Sequence, residues 1–285
     1  MNIAIFADVH GRVLLAFKLA ARWEHERGEK IDLILQAGDL GAYPDINQLD
    51  RATIKHAKND PTELGFSQYF VDYDADVAET LEQTSANMLF VRGNHEDHDW
   101  LDKLEQQHDG AIFPVDVYQR VWCMKSGMPH QFKSGNETIN ILGIGRIAAL
   151  PGEQDKSKSK YIQPYEARHI NRIKHQKIDL LLTHDTALNF VTVNYGMEEI
   201  RLILDIFKPE YHFHGHTEAE FNQQTDSNRH TQVIKLSDLH WNKSKAVEQG
   251  SMGILHWEND RKHQFEVISD NWFWEYTSQT WEHIQ

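Results

Sequence analysis

The 285-residue sequence contains a single cysteine, Cys123. One thiol cannot form an internal disulfide, and it cannot supply the several thiolates of a structural zinc site. Long apolar runs are also missing. In the first stretch, MNIAIFADVHGR, Asp8 interrupts the hydrophobic run too early for a signal peptide or a membrane span. We therefore expect a cytoplasmic protein that does not enter the membrane.

Basic residues are too few to balance the acidic ones. The chain has 29 lysines and arginines against 43 aspartates and glutamates, which gives a formal net charge of −14. Such a field repels polyanions, so extended nucleic-acid binding is disfavoured, although a local basic patch stays open. The 40% of apolar residues suffice for a large core, and we predict one domain over residues 1–285. The sequence leaves the oligomeric state open.

Short apolar runs that end in polar turns recur along the chain. The run at 2–7 precedes residues 13–23, where apolar side chains recur at the three- and four-residue spacing of a helix. Similar runs lie at 31–40, 87–96, 178–185 and 210–218, with a further strand predicted at 138–145 and helices at 99–107, 164–176 and 197–207. Alternating strands and helices predict an α/β fold whose polar turns gather at one edge of a sheet.

Two segments depart from this alternation. Residues 42–85 contain two prolines and scattered aromatic residues, and they predict an irregular insert of mixed helix and loop that covers part of the site. From about residue 231 onward the chain is rich in β-forming residues. The runs at 231–239, 252–258, 263–269 and 271–277 predict strands of a second sheet.

The polar turns carry the side chains that bind divalent metals. They contain, in order, Asp8 and His10, then Asp39, then Asn94, His95 and Glu96, then His184, and finally His216 and Glu218. Carboxylate, imidazole and amide ligands suit two divalent cations, and one shared aspartate can hold a pair about 3.5–4 Å apart. A histidine alone says little in a chain with 18 of them. The joint order of the turns, above all the GNHE run at 93–96, predicts a metal site.

The motifs DVHG, GDL, GNHE, LLLTHD and FHGHTE resemble those of the calcineurin-like metallophosphoesterases, and the matching layout runs from residue 2 to near residue 268. The resemblance implies a four-layer α/β/β/α sandwich with two metals at the sheet edge. It also implies a role for each matching residue. Asp8 and His10 would bind the first metal, Asp39 would bridge both, Asn94, His184 and His216 would complete the second, and His95 would protonate the leaving group.

Two departures from the family pattern bear on the metal and the substrate. Many members end in Gly-His-x-His, but Glu218 stands in place of the last histidine. A carboxylate there favours manganese, iron or magnesium over zinc, and we expect manganese, with the other three open. Ala42 and Tyr43 occupy the positions where phosphoprotein phosphatases carry an aspartate and an arginine. The carboxylate that would orient His95 is thus absent from its usual place, which argues against a protein phosphatase.

The resemblance implies a metal-dependent hydrolase of phosphate esters. Two cations would activate water for in-line attack on phosphorus. Proton donation by His95 would add about 10²–10⁴ in rate. The spacing of the motifs is most similar to that of the RNA lariat-debranching enzymes, which favours diesters. A nuclease or debranching enzyme and a phosphomonoesterase or protein phosphatase stay open as alternatives. A non-catalytic scaffold is disfavoured because six of the seven usual ligand positions are kept.

Overall fold

The computed structural model describes residues 1–149, 152–155, 157–173, 176–217 and 220–284. Within these ranges two β-sheets lie face to face between layers of helices. The strands are β1 (Asn2–Phe6), β2 (Leu33–Gln36), β3 (Asn87–Phe90), β4 (Ile112–Pro114), β5 (Val121–Met124), β6 (His130–Ser134), β7 (Glu137–Ile144), β8 (Leu180–Thr183), β9 (Tyr211–His214), β10 (Asn222–Thr225), β11 (Gln232–Lys235), β12 (Gly253–Asn259) and β13 (Lys262–Val267).

The α-helices flank the two sheets. They are α1 (Val13–Arg27), α2 (Arg51–Ala57), α3 (Gly65–Tyr69), α4 (Ala75–Glu82), α5 (His98–Gln106), α6 (Pro164–Arg172) and α7 (Glu198–Phe207), and short 3-10 helices cover Ile46–Gln48, Pro61–Leu64 and Asn271–Glu275. In the described part of the chain, none of these helices has the length and apolar character needed to cross a bilayer.

The topology brings the ends of the central strands to one edge. The first sheet has the order β13-β12-β1-β2-β3-β5-β4, with β1, β2, β3 and β5 parallel. The second has the order β10-β11-β9-β8-β7-β6, with β11, β9, β8 and β7 parallel. Parallel strands end at the same edge of their sheet, so the turns that follow them meet there.

Alternation along the strands builds the layers. In β1, Ile3 and Ile5 pack between the two sheets, whereas Ala4 and Phe6 face the layer of α1. In β8, Leu181 instead faces α6 and α7 on the far side of the second sheet. Three apolar clusters therefore separate four layers, and the predicted α/β/β/α sandwich is confirmed.

The insert at 42–85 is more helical than the sequence indicated. It holds α2, α3 and α4 together with two of the 3-10 helices. Aspartates begin several of these helices. Asp50 and Asp74 each accept main-chain N–H groups in the first turn of α2 and α4, as N-cap residues do. Short capped helices carry too few apolar repeats for sequence periodicity to define them.

The prediction that residues from about 231 form strands of a second sheet was wrong in part. Only β11 joins the second sheet, beside β9, because β12 pairs antiparallel with β1 and extends the first sheet instead. Residues 271–277 are not a strand either. Asn271–Glu275 form a 3-10 helix whose Trp272 and Phe273 are buried in the core next to α1. Aromatic side chains can fill a core from a strand or from a helix. The aromatic composition of this run therefore led to the wrong prediction of a strand.

Candidate metal centre

The predicted ligand residues occupy the turns that follow five parallel strands. Asp8 and His10 follow β1, Asp39 follows β2, Asn94 follows β3, His184 follows β8 and His216 follows β9. Four of them have left-handed backbone angles, with φ of 47° at Asp8, 42° at His10, 52° at Asp39 and 54° at His216. Side chains other than glycine adopt such angles at an energetic cost, which is typical of functional turns.

The first group of donors is formed within the first sheet. The ligand atoms of Asp8, His10 and Asp39 all lie within 4.8 Å of one another. Main-chain hydrogen bonds link their turns, since Asp8 N–H donates to the Gly38 carbonyl at 3.0 Å and His10 N–H donates to the Asp39 carbonyl at 2.9 Å. The three side chains are thus placed together by the backbone of adjacent strands.

The second group of donors connects the two sheets and shares Asp39 with the first. The ligand atoms of Asp39, His184 and His216 also lie within 4.8 Å of one another. Asn94 Oδ1 is 3.1 Å from His184 Nε2, so the amide belongs to the same group. Six of the predicted ligand positions therefore converge. The seventh, Glu218, lies outside the described residues.

Two glycines let the turns approach the carboxylates. A methyl group at Gly93 would overlap the Asp39 carboxylate, and one at Gly215 would overlap that of Asp8. The space is used by main-chain donors: Asn94 and His95 N–H donate to Asp39 Oδ1 at 2.6 and 2.7 Å. These bonds hold the shared carboxylate in place.

The electrostatics of the centre suit bound cations. Burial raises the pKa of Asp8 well above its usual value, and the nearby carboxylate of Asp238 raises it further. Burial also lowers the pKa of His10 and of His216 to about 3, which keeps both imidazoles neutral with a lone pair available. Carboxylates that repel one another and neutral imidazoles are the donors that divalent metals need, so the residues present fit a metal pair.

Asp39 and His184 form the buried ion pair of the centre. His184 Nε2 lies 3.3 Å from Asp39 Oδ2. Burial alone would lower the pKa of His184, but the charge of Asp39 outweighs it and raises the pKa to about 10. Burial would likewise raise the pKa of Asp39, yet His184 and His95 hold it well below its usual value. Asp39 is therefore an anion in the folded protein.

His95 is held by a carboxylate that the sequence analysis missed. Its Nδ1 lies 2.6 Å from Oδ2 of Asp50, and the Tyr43 hydroxyl donates to the same oxygen at 2.5 Å. The other oxygen of Asp50 accepts N–H groups that begin α2. Although burial opposes it, the charges of Asp39 and Asp50 raise the pKa of His95 to about 9. The carboxylate is absent from its usual place at position 42, as expected, but Asp50 of the insert takes that role.

Glu96, next in the chain, joins the two neighbouring turns. It is 5% exposed, and its oxygens accept the N–H groups of Leu40 at 2.8 Å, Ala42 at 2.7 Å and Gly93 at 3.3 Å. The residue thus fixes the turn after β2 against the turn after β3. The three polar residues of the GNHE run have different contacts: Asn94 faces His184, His95 pairs with Asp50, and Glu96 closes the loop.

A cavity of about 1310 Å³ opens over the donors. One wall comes from the insert, with Lys55 and His56 of α2, and the opposite wall comes from the segment after β11, with Asp238, His240 and Trp241. Arg12 also lines the cavity, but it is paired with Asp60 at 2.5 Å and Glu63 at 3.0 Å. The volume exceeds the range of about 300–1,000 Å³ that is usual for small-molecule sites.

A four-layer sandwich with clustered carboxylate and imidazole donors at the sheet edge defines a metallophosphoesterase. The chain belongs to the calcineurin-like phosphoesterase family, whose model matches residues 1–218. Members of this family hydrolyse phosphate esters and bind divalent metals.

Two further comparisons give more distant similarities, one in sequence and one in fold. The chain is 22% identical over 269 residues to a lariat debranching enzyme of Arabidopsis thaliana, with 84% of this chain and 60% of that enzyme covered. The chain therefore spans 60% of the length of this relative. The fold is similar to the crystal structure of a protein of Thermus thermophilus, TT1561, with a TM-score of 0.50, 13% identity, and 93% of this chain and 98% of that chain covered.

Proposed function

We propose that the protein is a dinuclear metal-dependent phosphoesterase that hydrolyses phosphodiesters. The observation that carries the proposal is the position of Asp39, which belongs to both donor groups and lies beside His95. Asp8, His10 and Asp39 would hold one cation, and Asp39, Asn94, His184 and His216 the other. Oxygen and nitrogen donors without a thiolate favour manganese, with iron, zinc and magnesium as alternatives.

The bound cations would polarise the phosphoryl oxygens and lower the pKa of water for in-line attack. The chain itself supplies the acid. With Nδ1 of His95 bonded to Asp50, its Nε2 is the nitrogen left to carry a proton for the departing oxygen. The His95 ring lies 5.6 Å from the ring of His10, centroid to centroid, so the proton is held next to the first donor group. Tyr43 stabilises Asp50 in the orientation that fixes the ring.

The large cavity supports a diester over a monoester. A monoester has one substituent beyond its phosphate, whereas a diester has two, and both need room beside the donors. The walls formed by α2 and by the segment after β11 leave about 1310 Å³ for them. The lariat debranching enzyme that this chain resembles is named for a nucleic-acid substrate, which points in the same direction.

Hydrolysis of a nucleic acid is the second candidate function. The relative named above favours it, and the net charge of −14 opposes it. An enzyme that tracks a nucleic-acid backbone neutralises several phosphates, so its binding falls steeply as salt is added. We expect binding of a single-stranded oligonucleotide to change little between about 50 and 200 mM salt. A loss of about a hundredfold or more would favour the nuclease.

The decisive experiment measures hydrolysis of 4-nitrophenyl phosphate and bis(4-nitrophenyl) phosphate with manganese, iron, zinc or magnesium. We expect hydrolysis of the diester with manganese, and loss of at least about 10³ in kcat for Asp39→Asn, because one shared ligand contributes to both cations. His95→Ala should lose about 10²–10⁴ in kcat on a diester whose alkoxide leaving group needs a proton, and far less on the aryl esters, whose 4-nitrophenolate departs without one. Calorimetry should still show two bound manganese ions in His95→Ala.

The matched control is Asp45→Asn, since Asp45 lies in the same insert and its side chain bonds to Asn47 at the start of the 3-10 helix Ile46–Gln48. This variant should keep wild-type kcat and two metal sites. A wild-type protein that binds no divalent metal would overturn the proposal, as would one that binds metal but hydrolyses neither ester. Loss of metal in His95→Ala would mean that His95 is a ligand and not the acid.

A further inference from the structure

Helix α2 of the insert forms one wall of the large cavity. Ala52, Lys55, His56 and Asn59 all line the cavity, and they recur at the three- and four-residue spacing of one helical face. The last three of these residues are exposed. The wall therefore offers an ammonium, an imidazole and an amide to the cavity, and each of these groups can donate a hydrogen bond. The proposed hydrolysis of the phosphodiester uses none of the three.

Lys55 differs from Arg12, the other basic side chain that lines the cavity together with the histidines. Arg12 is paired with Asp60 and Glu63. Lys55 has neither an ion pair nor a side-chain hydrogen bond in the described part of the chain. An exposed ammonium that lines a cavity without a counter-charge is available to an anionic ligand.

The whole of α2 lacks acidic side chains. Residues 51–59 contain three lysines and arginines and no aspartate or glutamate, in a chain that has 43 of these acids. Elsewhere a basic residue is balanced by an acid one turn further on, as in the pair of Arg22 with Glu26 on α1. The positive charge of α2 is therefore not balanced within its own helix.

The acidic side chains that line the cavity beyond the metal centre fall into two groups. Asp60 and Glu63 follow α2, and both pair with Arg12, while the charge of His56 also acts on Glu63. The second group lies in the segments before β10 and after β11 and consists of Glu220, Asp238 and Glu248. An anionic substituent is thus attracted to the wall formed by α2 and repelled by the opposite wall. The cavity therefore suits one anionic extension and not a long polyanion.

Helix α2 also lies beside the acid of the proposed reaction. Asp50, at the start of the helix, is 2.6 Å from Nδ1 of His95. Lys55 follows Asp50 along α2, and five residues of a helix span about 7.5 Å along its axis. Since His95 would protonate the departing oxygen, the substituent on that oxygen lies on the side of α2. A group attached to this substituent would reach Lys55.

We propose that the face of α2 formed by Lys55, His56 and Asn59 binds a second phosphate, which the leaving substituent of the diester carries. Lys55 balances its charge, and the imidazole and the amide donate to its oxygens. One neutralised phosphate agrees with the weak salt dependence expected above, because a single contact to a single strand changes binding only about threefold between about 50 and 200 mM salt. The inference rests on the proposed phosphodiesterase function.

The first test measures binding without metal or hydrolysis. Inorganic phosphate is titrated into the metal-free protein, and the amide signals of residues 51–59 are followed by NMR. We expect saturable shifts with a millimolar Kd, and Lys55→Gln should weaken the binding about fivefold. Lys58→Gln should keep the wild-type Kd. It is the matched control, because Lys58 ends the same helix, is exposed and does not line the cavity.

Two results of this titration would overturn the subsite. One is the absence of saturable shifts in residues 51–59. The other is an equal loss of binding in Lys55→Gln and Lys58→Gln, which would indicate a general effect of charge on the helix.

The second test joins the subsite to the reaction. With manganese bound, kcat/KM is measured for thymidylyl-thymidine with free ends, with a 5′-phosphate and with a 3′-phosphate. One of the two phosphorylated forms should exceed the form with free ends about fivefold. This ratio should fall to about one in Lys55→Gln and stay at its wild-type value in Lys58→Gln. Chromatography of the products should show that the alcohol released from the preferred form carries the terminal phosphate.

The outcomes of this test separate the subsite from the proposed function. No gain from either terminal phosphate would overturn the subsite, as would a gain that survives in Lys55→Gln or a released alcohol without the phosphate. Failure to hydrolyse any of the diesters, with phosphate still bound by α2, would count against the proposed function instead.

Discussion

The carboxylate of Asp50 lies 2.6 Å from Nδ1 of His95, although the two residues are 45 positions apart in the chain. Asp50 stands at the start of α2 in the insert, and His95 stands in the turn after β3. The insert therefore does more than cover the cavity, because it supplies the group that orients the imidazole. The hydroxyl of Tyr43 donates a hydrogen bond to the same carboxylate, so Tyr43, Asp50 and His95 form a chain of three side chains.

Asp50→Asn should slow hydrolysis in a manner that depends on the leaving group. The amide keeps the shape and still caps α2, but it does not hold the imidazole as the carboxylate does. We expect kcat for a methyl 4-nitrophenyl diester that expels 4-nitrophenolate to fall by less than about threefold. For a dialkyl-type diester, whose alkoxide needs a proton, kcat should fall about 10²-fold. Steady-state kinetics on both substrates measures the difference.

The control for this prediction again is Asp45→Asn, which should affect neither substrate. Thermal melting of Asp50→Asn should stay within a few degrees of wild type, so that a loss of structure is excluded. An equal fall in kcat on both substrates would show that Asp50 maintains the fold of the insert and does not serve proton transfer.

Asp238→Asn should weaken metal binding. Asp238 lines the same cavity as Asp8 and His10, and its main chain bridges to Ala7 next to the first donor group. The negative charge of Asp238 raises the pKa of Asp8, which means that the two carboxylates repel each other within the cavity. Removing the charge of Asp238 should raise the manganese Kd of one site at least about tenfold. This change corresponds to a loss of about 1.4 kcal/mol of binding free energy. Isothermal titration calorimetry measures both sites.

Glu248→Gln provides the comparison, because Glu248 lines the same cavity, and each of the two carboxylates has one ion pair, Asp238 with Lys235 at 3.8 Å and Glu248 with His240 at 4.0 Å. Its effect on either manganese Kd should be below about twofold. A similar loss in the two variants would indicate a general effect of cavity charge, and no loss in Asp238→Asn would show that this carboxylate does not act on the cations.

The stability of the metal-free protein should fall as the pH drops below about 6.5, and His212 should contribute. Burial holds the pKa of His212 well below its usual 6.5, and Thr183 accepts from its Nε2 at 2.8 Å. Below about pH 6.5 the unfolded chain therefore binds a proton that the folded chain does not, and stability is lost with falling pH. One such group contributes up to about 1.4 kcal/mol per pH unit.

In His212→Asn this contribution should disappear. Between about pH 6 and 5, the free energy of unfolding of the variant should change with pH by about 1 kcal/mol per unit less than that of wild type. Urea denaturation in the presence of a chelator gives the slope at each pH. Exposed His25→Asn on α1 is the control. The same reduction of slope in both variants would contradict the assignment to His212.

The order of the metal-binding motifs could be predicted because each one follows a short buried strand. Asp8, Asp39 and Asn94 come directly after β1, β2 and β3, which are apolar runs readable in the sequence. Parallel strands end at one edge, so the convergence of these residues followed from the alternation of strands and helices. The same argument predicted that His184 and His216 follow strands, but only the structure shows that those strands belong to the second sheet.

Asp50 and Asp238 could not be found in this way. Asp50 lies in a helical insert without long periodicity, and its only local signal is that of an aspartate before a helix, which many helices share. Asp238 follows β11, for which the sequence predicted a strand but not a place beside β9. Long-range pairing decides where such residues lie, and no short stretch of sequence records it.

The amino-acid sequence by itself determined the α/β alternation and the polar turns at the strand ends, because hydrophobic periodicity and turn residues act over a few positions. Only the tertiary structure decided that β12 and β13 extend the first sheet, that Asp50 reaches His95, and that Asp238 lies beside Ala7 next to the first donor group. These contacts join residues far apart in the chain, and they form only when the packing of the two sheets and the insert is complete.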